Sequence, residues 1–92
     1  MIRTFRDRDT ERLWNGEGVR RFGGMREQAL RKLDMLNAAT SLNDLRAPPG
    51  NRLEALKGGR RRQHSIRIND RWRVCFVWTP DGPADVEIAD YH

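Results

Sequence analysis

Ser65-Ile66-Arg67-Ile68-Asn69, followed by Arg71-Trp72-Arg73-Val74-Cys75-Phe76-Val77-Trp78, is the stretch that decides the fold. Both runs alternate at the two-residue period of a half-buried strand. In the second, Trp72, Val74, Phe76 and Trp78 point one way, and Arg71, Arg73, Cys75 and Val77 the other. In the first, Ile66 and Ile68 oppose Ser65, Arg67 and Asn69. Between the runs, Asn69-Asp70 suits a two-residue hairpin turn, because Asn and Asp tolerate a positive φ. Pro80-Asp81-Gly82-Pro83 supplies a second turn, and Val86 to Ile88 closes a β-meander. The chain then ends on Asp90-Tyr91-His92, three strongly functional side chains in a place where chains commonly fray.

Upstream the patterns change. Ile2 to Phe5 reads as a short first strand. Asp7 and Asp9 suit a helix start, and a short helix through Leu13 and Trp14 should stop at Gly16 or Gly18. After Gly23-Gly24, Met25, Ala29, Leu33 and Leu36, with Leu30 beside them, make one helical stripe, and Arg26, Glu27, Arg31 and Lys32 take the wet side. Ser41 to Leu45 suits one helical turn, and Pro48-Pro49-Gly50 enforces a loop. Arg52 to Leu56 fits helix or strand by pattern, and its place before the meander favours strand. Lys57-Gly58-Gly59-Arg60-Arg61-Arg62 is a charged connection. The expectation is one α+β domain over residues 1–92, with a short N-terminal strand and two helices on one face of a mainly antiparallel sheet.

Charge narrows the partners. The 92 residues carry a formal charge of +5, and of the 18 basic residues all but Lys32 and Lys57 are arginine. Such a surface attracts phosphates and accelerates encounter, and the planar guanidinium fork binds them bidentately. A GC-rich genome accounts equally well for the arginine bias, but not for the excess charge. The single Cys75 excludes an intramolecular disulfide and a Cys-based zinc cluster, and its place in an apolar strand makes it a small core residue. No metal-site spacing, Gly-rich phosphate loop or nucleophilic triad is present. No run is apolar enough to span a membrane, and Arg3 and Arg6 interrupt any signal-peptide core. A cytoplasmic location without membrane contact is expected.

Four groups bear chemistry. Lys57, Arg60 to Arg62, Arg67 and Arg73 form a basic set. Arg73, flanked by apolar residues, is the member that points to function, while Arg60 to Arg62 read as solvated charge or nonspecific RNA contact. Asp90, Tyr91 and His92 can transfer protons, and Tyr91 can stack on a base. Glu54 can serve as a base near a phosphate or pair with an arginine. His64, at the edge of a strand, reads as structural.

LRAPPGNRLEALKG from Leu45, SIRINDRWRVCFVW from Ser65 and the terminal VEIADYH together resemble the HigB, or plasmid-maintenance killer, toxins of the RelE/ParE superfamily. The likeness is specific over residues 45–92 and extends, in length and element order, over 1–40. It implies a RelE-like fold and a bacterial type II toxin. The implied partners are a HigA-like helix-turn-helix antitoxin, through which alone operator DNA is reached, and the ribosome with its mRNA. The implied reaction is metal-independent and needs no cofactor: a ribose 2′-OH attacks the adjacent phosphate, expelling the 5′-OH. Carried over by position, Lys57, Arg73, Asp90, Tyr91 and His92 are the expected catalytic residues and Arg67 a further basic contact. Arg60, Arg61 and Glu54 are expected substrate contacts by their charge and place in this chain rather than by a match to the family. One of Asp90 and His92 would take the 2′ proton. The other, or Tyr91, would protonate the leaving oxygen or hold the base. Some members have histidine where this chain has Glu54, which leaves more of the work to the terminal triplet. The alternatives are a toxin that blocks the ribosome or gyrase without cleaving RNA, and a non-toxic partner of an antitoxin.

Overall fold

The structure is a computed structural model that describes residues 1–60 and 62–91. Its scaffold is two helices on one face of a four-stranded antiparallel sheet in sequential order, β1 (Glu54–Ala55), β2 (His64–Arg67), β3 (Trp72–Thr79) and β4 (Gly82–Asp90). Helix α1 spans Arg8–Trp14, and its start is fixed by Asp7, whose carboxylate accepts from the Thr10 amide as an N-cap does. It stops at Asn15, and Gly16 takes φ 91°, the left-handed conformation glycine adopts at no steric cost. Helix α2 spans Arg26–Ala38 and buries Ala29, Leu33 and Leu36, the stripe its 3.6-residue spacing predicts. Short 3₁₀ turns at Arg20–Met25 and Leu42–Arg46 flank it, the second closed by a reciprocal cap between Ser41 and Asp44.

The core lies between helices and sheet: Leu13, Phe22, Leu33, Leu36 and Leu45 meet Ile66, Val74, Phe76, Val86 and Ile88, all essentially inaccessible. Trp72 joins them edge-on to Phe22, ring centroids 5.6 Å apart, while Trp78 is only partly buried against the cluster. α1 is pinned to the outer edge of β4, where the buried Thr10 hydroxyl accepts from the Ile88 amide at 3.0 Å.

Three local expectations need correction, and β4 adds a feature that none of them included. Ile2 to Phe5 makes a single parallel bridge, Phe5 to Val86, rather than a regular strand. β4 carries a bulge opposite β3, with Asp85 at φ 51°, and its amide turns to the Thr4 hydroxyl instead of a ladder carbonyl. The Asn69-Asp70 turn does not work through positive φ, because among the described non-glycine residues only Arg52 and Asp85 adopt it. The Asn69 side-chain oxygen instead accepts from the amides of Arg71 and Trp72, both at 2.9 Å, and the connection is longer than two residues. Finally, Arg52 to Leu56 pairs as a strand only at Glu54 and Ala55, because Arg52 is left-handed and ends a 3₁₀ turn over Pro49–Asn51.

Candidate functional site

Strand alternation divides the sheet into a helix-covered face and an open one. Register sets Glu54, Ser65, Cys75 and Glu87 in one row across the four strands, and Arg67, Arg73 and Ala89 in the next. Partners directly opposite in a sheet share a face, so these residues lie away from the helices. Ser65 and Cys75 are nonetheless fully buried, and Arg73 is only 8% exposed.

A guanidinium so deeply set needs acceptors, since an unpaired buried charge is strongly destabilising. Arg73 finds them along one edge. Its Nε donates to Ser65 Oγ at 2.7 Å, and one Nη donates to the Arg52 carbonyl at 2.6 Å and the Ser65 carbonyl at 3.3 Å. Glu54 stands 4.0 Å away, with more than half of its side chain exposed. The Arg52 carbonyl is aimed inward by that residue's backbone, φ 44° and ψ 58°. Asn51, just before it, is completely buried. Its amide donates to the carbonyls of Leu45 and Ala47, and its oxygen accepts from Lys32 Nζ at 2.6 Å. Burial first, then the charges of Arg31 and Arg67, lower the pKa of Lys32.

An open cleft of about 310 Å³ lies over this edge, lined by Arg52, Glu54, Arg67, Asn69, Asp70, Arg73 and Tyr91. Arg67 forms an ion pair with the fully exposed Asp70. Lys57 is exposed on the segment after β1, and Arg60 folds down onto Glu87 at 3.2 Å. Burial pulls the Arg60 pKa down, but Glu87, Cys75 and Tyr91 together outweigh it and the net direction is up. The Tyr91 hydroxyl lies 3.7 Å from Cys75 Sγ. Burial, then the Cys75 contact, raises the phenol pKa, and burial likewise raises that of the thiol. Both therefore stay protonated at neutral pH, and Tyr91 can donate.

The structure thus brings Arg73, Arg67, Glu54 and Tyr91 to one cleft, with Arg60 farther along the same face. It sets Asp90 elsewhere. Asp90 pairs with Trp72 in the ladder, and its carboxylate accepts from Arg71 Nε and Nη2 at 3.0 and 2.8 Å. Both line a second cleft with Arg21, Gly24 and Trp72. His92 and Arg61 lie outside the described residues. His64 opens β2 and stacks on Phe76 with centroids 6.3 Å apart. Sequence reasoning did not single out Ser65, Arg52 or Glu87. Alternation alone marks Ser65 and Glu87 as sharing a face with Arg73. The carbonyl of Arg52 leaves no trace in side-chain pattern. Among the described residues, no three His, Cys, Asp or Glu side chains gather as a metal site requires, and no helix is long and apolar enough to cross a membrane.

The arrangement suits an extended polyanion, with a braced cation at the bottom of an open cleft, the exposed Arg52 and half-buried Arg67 at its rim, and a neutral phenol and a carboxylate beside it. Comparison with known proteins gives the family. Over residues 3–92 the chain matches the family model described as "RelE-like toxin of type II toxin-antitoxin system HigB". It is 36% identical over 94 residues to Toxin HigB-1 of Vibrio cholerae, covering 100% of this chain and 98% of that protein. It is also 46% identical over 48 residues to an uncharacterized protein of Haemophilus influenzae, covering 52% of this chain and 48% of that protein. The chain belongs to the HigB-like family of RelE-like toxins of type II toxin–antitoxin systems.

Proposed function

We propose that this toxin, whose family implies an antitoxin partner, is a ribosome-dependent mRNA endonuclease acting at the open face of the sheet. The observation that carries the reading is Arg73: a nearly buried guanidinium braced along one edge and set in a cleft with Arg67, Glu54 and Tyr91. A prepositioned cation in a partly desolvated site stabilises charge that grows on a phosphate during displacement, commonly the largest catalytic contribution. In this mechanism the ribose 2′-OH loses its proton to a base and its oxygen bonds to phosphorus, while the 5′ oxygen leaves with a proton from an acid. Arg73 and Lys57 offset the growing negative charge. Tyr91, kept neutral, donates to the leaving oxygen or stacks on a base. His92 or Glu54 takes the 2′ proton. Asp90, tied to Arg71, reaches the reaction through the residues that follow it. Arg67, with Arg60 and Arg61, tracks the RNA backbone, and a HigA-like antitoxin is the partner that silences the toxin.

The experiment is mapping of mRNA 5′ ends after brief induction of the wild type, of Arg73→Ala and of a variant lacking His92. New ends in reading frame, lost in both variants, are expected, with the cleavage rate of Arg73→Ala down by about 10²–10³ as for loss of one preorganised donor. The Arg71–Asp90 ion pair favours a second reading, because it withdraws one carboxylate from the cleft. That reading is a toxin that occupies its target without cutting. Growth arrest without new ends would establish it in place of the first.

A further inference from the structure

The mechanism needs Arg73 aimed, and the fold supplies the aiming from outside the family of charged residues. Two acceptors converge on one edge of the guanidinium: the Ser65 hydroxyl at 2.7 Å from Nε and the Arg52 carbonyl at 2.6 Å from Nη2. Ser65 is completely buried in the middle of β2. The Arg52 carbonyl owes its direction to a left-handed backbone that a non-glycine residue adopts only where its surroundings hold it. The anchor for that backbone is Asn51, also completely buried, which ties the main chain at Leu45 and Ala47 to Lys32 on α2.

We infer that Ser65 and Asn51 are positioning residues for Arg73: Ser65 Oγ fixes the guanidinium directly, and Asn51 fixes it through the Arg52 carbonyl. Two acceptors on one edge fix the plane of a guanidinium as well as its place, so the Nη1 side is the one turned to incoming phosphate. A guanidinium left to rotate would meet phosphate in many orientations and lose the advantage of preorganisation. Because the inference rests on the nuclease reading, its test separates the two.

The measurement is the ¹⁵N-edited spectrum of arginine side chains in the intact protein, with the Arg73 Nε–H signal identified by its loss in Arg73→Lys. In the wild type this proton should exchange slowly with water and lie apart from those of exposed arginines. Ser65→Ala should collapse it into the exposed group and lower RNA cleavage about tenfold, the effect of one lost hydrogen bond to a charged group, through kcat rather than KM. Ser65→Thr, which keeps the hydroxyl, should restore both. Arg52→Gly accepts φ 44° without strain and should keep the Nε–H signal in place. Arg52→Pro, confined to φ near about −65°, should loosen it. An unchanged Arg73 signal in Ser65→Ala, with the fold intact by thermal melt, would overturn the inference. A collapsed signal in a protein whose growth arrest survives both Ser65→Ala and Arg73→Ala would uphold the aiming and sink the nuclease reading.

Discussion

Arg73 and Cys75 stand two residues apart on one strand and show how a single sheet face can hold opposite chemistries. The guanidinium is accommodated in a nearly buried place because acceptors line its inner edge. Burial raises the thiol pKa above the ordinary 9.0, more than the Tyr91 hydrogen bond and the charges of Arg60 and Arg73 lower it. That direction makes a prediction about stability. Below pH 9 the folded and unfolded chains both hold the thiol proton, so Cys75 adds no pH dependence. Above it the unfolded chain releases the proton first, and stability falls as pH rises. Tyr91, shifted the same way from 10.0, extends the fall to higher pH. Thermal melts between pH 8 and 10 should show a steeper decline for the wild type than for Cys75→Ala. Parallel curves would mean that the thiol titrates as freely in the fold as out of it.

At the scale of elements, the hairpin between β3 and β4 depends on one glycine. Gly82 takes φ 122°, and a Cβ there would stand 2.5 Å from the carbonyl oxygen of Met1, so the strain and the clash act together. Gly82→Ala should destabilise the protein by more than about 1 kcal/mol, seen as a melting temperature lower by at least about 4 °C for a domain of this size. Restoration by other small residues would contradict the backbone cause. Sequence pattern made much of this level legible. The Met25-Ala29-Leu33-Leu36 stripe located α2 and its buried face, and the Trp72/Val74/Phe76 alternation located β3 and, by exclusion, the outward direction of Arg73. The missed features lie in backbone geometry set by distant partners. The Asp85 bulge turns on Thr4, eighty-one positions away, and the left-handed Arg52 depends on the loop that Asn51 holds. Neither has a periodic signature. Asp90 shows the same limit, for adjacent positions of one motif face opposite sides of a strand, and sequence proximity with Tyr91 conceals that separation.

For the whole molecule, the question is which face meets the polyanion that a charge of +5 invites. The two candidate clefts differ in how their arginines are committed. In the helix-side cleft, Arg71 is held by two hydrogen bonds to Asp90 and lies over the Trp72 ring at 5.0 Å, while Arg21 lies over the same ring and reaches Asp9 at 3.5 Å. Each arginine there has a carboxylate and an aromatic face, so the cleft offers little uncompensated charge. On the open face, Arg67 has, among the described residues, only the fully exposed Asp70 as its counter-charge, an arrangement water screens and phosphate can displace, and Arg73 adds a buried charge behind it. Binding to single-stranded RNA releases counterions in proportion to the phosphates neutralised, with a slope of about −0.7 in log K against log salt for each. Titrations of a short RNA across a salt series should therefore lose about 0.7 of slope in Arg67→Gln and keep the wild-type slope in Arg71→Gln. The opposite pattern would transfer RNA binding to the helix side. In that case Arg73 would be a structural charge, satisfied by Ser65 and Arg52 and serving the fold alone.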